Sequence, residues 1–314
     1  MSANDSSKAS RLTALRRFAI NLTILNVVGH IFLGFEQSWA QLLITVATAY
    51  GMEIMLELID ARSNQRPLAF AGGLRDLIDF LLPAHISALS IAMLLWANDQ
   101  LLPFAFAAAV ATGSKAILRV PIGKGSRHFL NPSNFAITVT MILLPGVLFA
   151  PPYEFTETLG GAEYWILPGL IIVLGTLINR LTGRLPLIAG WVGGFVLQAL
   201  TRSSVFGTPA VAALLPMTGV VFVIYTFYMV TDPGTTPSGS WSQVVFGAAV
   251  AGVYGLLIVL HVGAAIFVAL TIVCGLRGIG LCANVLAARR ARGKVVVQAP
   301  AAAQEPAVAR AGEL

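Results

Sequence analysis

Twenty consecutive residues without a charged side chain, WSQVVFGAAVAGVYGLLIVL at 241–260, are the strongest indication of the fold. A helix rises about 1.5 Å per residue, so about 20 apolar residues cross the roughly 30 Å hydrocarbon core of a bilayer. The next stretch, GAAIFVALTIVCGLRGIGLCA at residues 263–283, is equally apolar apart from Arg277. These two stretches predict a pair of membrane-spanning helices.

The composition extends this prediction to the whole chain. Of the 314 residues, 57% are hydrophobic and 11% are charged, whereas a soluble domain carries about 25% charged residues. So few charges cannot cover a water-exposed surface, and lipid must therefore surround most of the chain. The net charge of +6 is spread over short clusters between apolar runs, which is typical of topology signals and not of a nucleic-acid interface. We therefore expect the lipid bilayer as partner and no nucleic acid.

Hydropathy predicts an all-α integral membrane protein of about ten transmembrane helices. The predicted segments are 18–35, 39–59, 84–98, 101–118, 134–151, 164–181, 185–201, 212–231, 241–260 and 263–283. The amphipathic stretch 72–82 either lies on the membrane surface or extends the third segment. No strict repeat is visible, although ten spans are compatible with a five-plus-five inverted repeat.

The distribution of basic residues predicts the orientation. Alternate connections hold nearly all the Lys and Arg residues, while the other set holds only Arg202 among several acidic residues. The positive-inside rule then places both termini in the cytoplasm and the protein in the cell membrane. This divides the chain into a cytoplasmic segment 1–17, a ten-helix membrane domain 18–288 and a cytoplasmic tail 289–314 that is first basic and then disordered.

The predicted inner loop TGSKAILRVPIGKGSRHFLNPSNFAIT, residues 112–138, is the first candidate site. Pro132 disfavours a helical conformation at Asn131, so Asn134 or its neighbour Ser133 is well placed to cap the fifth span. The loop is then either a capped turn with topology-setting cations, or an anion site. In the second interpretation Lys115, Arg119 and the capped helix terminus hold a phosphate-like group.

The predicted inner connection YTFYMVTDPGTTPSGSW, residues 225–241, is the second candidate. Asp232 is the only acidic residue between Glu163 and Glu305. It stands beside Pro233, Gly234, Thr235, Thr236 and Pro237. It either caps the local backbone in an Asx-type turn, or belongs to irregular backbone that lines a ligand site.

Acidic and histidine side chains inside predicted spans form the third candidate. Glu53 and Glu57 are four positions apart and share one helix face, and Asp60 continues that face towards the inner surface. They either form salt bridges with Arg62, Arg66 or Arg75, or line an ion or proton path with His30. His30 is otherwise a packing residue, and Cys274 and Cys282 are expected to be small apolar side chains and not metal ligands.

Two motifs and the ten-span layout resemble a known family. The run HFLNP at 128–132 and the run YMVTDPGTTP at 228–237 are similar to motifs of the membrane flavin subunits of ion-pumping redox complexes. These are the RnfD protein of the Rnf complex and the NqrB protein of the sodium-translocating NADH:quinone reductase. The likeness covers roughly residues 15–290. The second run is most similar to relatives that stand alone beside enediyne biosynthesis genes.

The resemblance implies a flavin, FMN or riboflavin, and membrane electron transfer with other redox subunits as partners. In the pumping subunits FMN is attached through its phosphate to the Thr of an S-G-A-T motif near the outer membrane surface. The nearest equivalent here is Pro216-Met217-Thr218-Gly219, which lacks that motif, so we expect any flavin to be non-covalent. The predicted flavin-binding residues are Thr218, Asp232, Thr235, Thr236, Asn131, Asn134, Lys115 and Arg119.

Two other functions fit the same sequence. The protein could be a transporter or channel for an ion or small metabolite, or an accessory membrane protein of enediyne-type metabolism. No residue is predicted to be catalytic and no metal site is predicted.

Overall fold

The computed structural model describes residues 3–122, 125–151, 155, 160 and 165–297, with the backbone alone at 3–11, 122 and 289–297. Within these residues the fold is helical. The helices are α1 (Ala3–Val28), α2 (Trp39–Ser63), α3 (Leu74–Leu94), α4 (Leu102–Ile117), α5 (Pro132–Leu143), α6 (Ile166–Leu181), α7 (Leu185–Phe206), α8 (Ala210–Leu214), α9 (Val220–Ile224), α10 (Ser240–Val259) and α11 (Ala265–Val297).

Short irregular elements interrupt or connect these helices. A π-helical turn, Gly29–Leu33, continues α1, and another, Tyr225–Met229, continues α9. A 3₁₀ turn, Leu215–Thr218, follows α8. Two antiparallel strand pairs join β1 (Leu95–Trp96) with β4 (Leu148–Phe149), and β2 (Arg119–Ile122) with β3 (Gly125–His128).

Each of the ten predicted segments overlaps a helix, which confirms the all-α class, although the fifth segment is helical only to Leu143 and then runs through β4. By length and composition five of the described helices can cross a membrane, namely α2, α3, α7, α10 and α11 through Ala288. The eighth predicted span is broken, because α8 with its 3₁₀ turn and α9 with its π turn meet at 67°. Helices α4, α5 and α6 are apolar but shorter. The chain is thus a helical membrane protein, while the count of ten spans and the placement of the termini stay predictions.

The helix boundaries settle two details of the predicted layout. Stretch 72–82 extends the third span, since α3 starts at Leu74 and continues through Pro83. Helix α11 runs to Val297, past the predicted start of the tail, because residues 283–297 are rich in good helix formers. Residues 298–314 lie outside the described part of the chain.

Contacts between connections define two ends of the bundle. At one end Gln37 donates to the Met93 carbonyl at 3.0 Å and Gln41 donates to the Asn98 carbonyl. At the other end the Asn131 amide donates to the Met229 carbonyl at 3.1 Å, and Arg184 donates to the Pro237 carbonyl. The first end gathers connections predicted to be outer, and the second gathers connections predicted to be inner.

Candidate functional site

The turn after the broken eighth span is built around Asp232. Its Oδ1 accepts from the Gly234 amide at 2.8 Å and its Oδ2 accepts from the Thr235 hydroxyl at 3.1 Å. Its carbonyl oxygen accepts from the Thr236 hydroxyl at 2.6 Å. Thr235 and Thr236 are buried, so this turn is a packed part of the protein and not an open loop. The local capping role expected of Asp232 is therefore present.

Asn131 joins this turn to the start of α5. Its Oδ1 accepts from the Asn134 backbone N–H at 3.0 Å, which makes it the N-cap of α5, and its Nδ2 donates to the Met229 carbonyl. The predicted cap, Ser133 or Asn134, is therefore wrong, because Pro132 is itself the first helical residue and leaves the cap position to Asn131. Asn134 in turn donates to the Phe267 carbonyl and to the Thr271 hydroxyl, both at 2.9 Å, while its Oδ1 has no partner. Residues from the two motifs are thus hydrogen-bonded to each other and, through Asn134, to α11.

His128 lies against the same turn. A Cβ atom at Gly234 would lie 2.9 Å from the His128 Nε2 and 3.1 Å from the Asp232 Oδ1, so the imidazole and the carboxylate flank this glycine. Burial lowers the pKa of His128, as do the nearby Lys115, Arg119 and Arg127, while Asp232 opposes that shift. The imidazole is therefore expected to be neutral near pH 7.

Two arginines outside the predicted site residues reach this turn. Arg277 of α11 donates from Nη1 to the Thr235 carbonyl at 2.8 Å, and Arg184 at the start of α7 donates to the Pro237 carbonyl. Arg184 is 8% exposed and its Nε has no partner. Burial lowers the pKa of Arg184. The charge of Asp232 raises this pKa, and the charges of Arg127 and Arg277 lower it further. A sequence signal for Arg277 was present, because a lone arginine inside an apolar stretch marks a functional position.

The predicted phosphate-binding cations are engaged elsewhere. The Lys115 Nζ lies 3.0 Å from the Glu53 carboxylate, an ion pair without good hydrogen-bond geometry. Arg119 donates to the Ser126 hydroxyl at 2.9 Å and to the Lys115 carbonyl at 3.0 Å, which stabilises the β2–β3 hairpin. Both cations lie near His128 and act on it electrostatically.

The acidic residues of α2 have basic partners. Both oxygens of Glu57 accept from Arg66, at 2.6 and 2.7 Å, and Arg66 also donates to Asp60. These hydrogen bonds raise the pKa of the Arg66 guanidinium. Glu57 therefore forms a salt bridge with one of the arginines predicted for it. Glu53 instead pairs with Lys115 of α4, which is too distant in the sequence to be predicted as its partner.

His30 occupies a packing position. Its Nδ1 is 2.7 Å from the Asn26 carbonyl, and its ring centroid lies 4.6 Å from that of Trp39. A different histidine, His85 of α3, links polar side chains of three helices. It contacts the Thr23 hydroxyl at 2.8 Å and the Tyr50 hydroxyl at 2.7 Å. His85 was missed because neither its spacing nor its neighbours in sequence distinguish it.

Thr218 is separated from the other candidates. It is exposed at the bend of the broken span, and its hydroxyl donates to the Leu215 carbonyl at 2.8 Å. The ten helical residues 220–229 stand between it and the Asp232 turn, a rise of about 15 Å. The structure thus gathers Asn131, Asp232, Thr235 and Thr236 in one place and leaves Thr218 at another.

The fold and these contacts define a helical membrane protein with a polar cluster at one end. No protein-family model matches this chain, and no curated protein sequence matches it.

Proposed function

We propose that the protein is a flavin-associated membrane subunit of electron transport, similar to RnfD and NqrB. The observation that carries this proposal is the meeting of the HFLNP and YMVTDPGTTP motifs. Asn131 binds the Met229 carbonyl, and His128 lies beside Gly234. Two motifs about a hundred positions apart along the chain form one polar cluster, as a shared binding site requires.

The residues of this cluster suit a flavin in three respects. The unpartnered Asn134 Oδ1 can accept a hydrogen bond, and the unpartnered Arg184 Nε can donate one. The excess of guanidinium groups suits a phosphate. Apolar side chains adjoin the cluster, since Met229 and Val230 are buried beside it. A bound flavin would supply the one- and two-electron chemistry, and the protein would supply binding and electrostatics.

The chain's own residues would then have distinct tasks. Asn131 joins the two backbone segments and Asp232 holds its own turn, while Arg184 and Arg277 provide positive charge. Thr218 offers an exposed hydroxyl at the far bend but no attachment motif, so the proposal keeps the flavin non-covalent. We place the protein in the cell membrane with both termini cytoplasmic, alongside other redox subunits.

A spectrum of the purified protein tests the proposal. We expect flavin absorption from the native protein and a dark band when the denatured protein is viewed on a gel under ultraviolet light. Asn131→Asp is the informative variant, because it keeps the cap of α5 but removes the donor to Met229, and it should lower the flavin content. A fluorescent denatured band that disappears in Thr218→Ala would show covalent attachment, and a colourless native protein would refute the flavin proposal.

A specific observation favours ion or solute transport as the second candidate. The eighth span is broken at 67°, and helix breaks of this kind line binding sites in many transporters. The partly buried Thr23–His85–Tyr50 network and the Lys115–Glu53 pair add polar groups between helices. A colourless protein that takes up a solute in liposomes would support this function.

A further inference from the structure

The end of the bundle around the Asp232 turn carries more positive than negative charge. Arg184 and Arg277 contact the carbonyls of Pro237 and Thr235, which are two residues apart and so separated by at most about 7 Å. The two side chains come from different helices, α7 and α11, and approach the same short stretch of backbone. This convergence is a product of packing and not of sequence proximity.

Arg127 belongs to the same group. It is exposed on β3 and close enough to act electrostatically on both Arg184 and Arg277. The Asp232 carboxylate, whose charge acts on Arg184, already accepts from Gly234 and Thr235. Among the residues that the structure describes, no ion pair within 4.0 Å includes any of the three arginines. Two guanidinium groups therefore contact a turn that holds one carboxylate, and a third, that of Arg127, lies near enough to act on both electrostatically.

Topology alone does not account for this arrangement. An arginine that only marks the inner side of a membrane can lie in water, as the exposed Arg180 does. Arg184 is instead 8% exposed with a free Nε, and burying a charged donor without an acceptor is costly. An anion at this position would supply the missing acceptor and reduce the repulsion between the guanidinium groups.

We propose that Arg127, Arg184 and Arg277 form a binding site for the doubly charged phosphate group of a monoester or of inorganic phosphate. Planar guanidinium groups match the oxygens of a phosphate through paired hydrogen bonds, and they stay charged at this burial. The site includes Arg184 and Arg277, which the proposed function also uses, but it does not require a flavin, because any phosphate monoester or inorganic phosphate carries the same group. The phosphate can come from a soluble compound or from a lipid headgroup.

The test is a titration of inorganic phosphate against the protein in nanodiscs of zwitterionic lipid, at constant ionic strength made up with chloride. The unfolding midpoint of the wild type should rise with phosphate. Above the Kd it should keep rising with the logarithm of the phosphate concentration c, because a ligand that binds only the folded state stabilises it by RT ln(1 + c/Kd). One charge-assisted hydrogen bond corresponds to about tenfold in affinity, so Arg184→Gln and Arg277→Gln should each raise the Kd by about tenfold or more. Arg202→Gln is the matched control, because it lies at the other end of α7 and should leave the Kd unchanged.

Two further variants keep the test decisive if the buried arginines are needed for folding. Arg127→Gln alters an exposed side chain and should also weaken binding. Asp232→Asn removes the opposing charge and should tighten it, an effect of opposite sign that general destabilisation would not produce. Unchanged phosphate affinity in Arg127→Gln and Asp232→Asn, or no phosphate-dependent rise of the wild-type midpoint in any membrane, would overturn the site.

The same titration in nanodiscs of a second lipid composition shows whether the phosphate comes from a lipid or from a soluble compound. Nanodiscs that contain phosphatidic acid present the monoester as a headgroup. If the lipid occupies the site, the wild-type midpoint is already raised and added phosphate has no further effect, while Arg184→Gln loses the rise. If phosphate still stabilises the wild type there, the ligand is soluble. Both results support the site, and both can be obtained whether or not the protein contains flavin.

Discussion

Asp232 combines two roles in one side chain. Its carboxylate oxygens hold the turn through Gly234 and Thr235, and its charge acts on Arg184 and the His128 imidazole. The hydrogen bonds depend on the shape of the side chain, whereas the electrostatic role depends on its charge. Substitutions that separate shape from charge therefore separate the two roles.

Asp232→Asn keeps the shape of the side chain, and Asp232→Ala removes it. The Asn oxygen can still accept from Gly234, so we expect nearly wild-type stability. The Ala variant loses both hydrogen bonds and should lose about 0.5–2 kcal/mol of unfolding free energy, by analogy with helix caps. Thermal unfolding of the two variants and the wild type in the same detergent measures these changes in stability. Equal destabilisation of the two variants would mean that charge, and not hydrogen bonding, holds the turn.

At the scale of elements, α7 and α10 form a close pair because glycines line their contact. A Cβ atom at Gly247 would lie 2.5 Å from the Leu187 carbonyl oxygen, and one at Gly190 would lie 2.7 Å from the Val244 Cα. Arg184 lies at the start of α7, and the Asp232 turn leads into α10 at Ser240. The distance between these two helices therefore sets the distance between Arg184 and the turn.

Gly247→Ala should push these helices apart. Overpacking of this kind costs about 1–3 kcal/mol. Gly252→Ala is the control on the same helix, because nothing lies within 4 Å of the place its Cβ atom would occupy, and it should be neutral or slightly stabilising through helix propensity. The unfolding midpoints of the two variants test this expectation. Indistinguishable midpoints would contradict the close contact between α7 and α10.

At the scale of the whole molecule, the connections segregate into two groups. The contacts of Gln37 and Gln41 lie at one end, and those of Asn131 and Arg184 lie at the other. The charge distribution predicts that the second end faces the cytoplasm. Single exposed cysteines can therefore report the orientation of the whole bundle.

Cysteine labelling checks this orientation in a background where Cys274 and Cys282 are replaced by Ala. Asp99→Cys should react with an impermeant reagent from outside intact cells. Asn64→Cys and Ser238→Cys should react only after permeabilisation, since both exposed positions lie in predicted inner connections. Labelling of Ser238→Cys from outside would show that the ten-span arrangement is wrong.

Hydropathy and turn formation depend on neighbouring residues, so the helical segments and the turn at Asp232 could be predicted from the sequence alone. The sequence predicts Ser133 or Asn134 as the cap of α5, whereas the cap in the structure is Asn131. The partners of the charged side chains became clear only from the tertiary structure. Glu53 pairs with Lys115, and Arg184 and Arg277 reach one turn from different helices, because helix packing brings together residues that are distant in the chain. The break in the eighth span also needed the structure, since hydropathy treats the two halves as one span and packing sets their 67° angle.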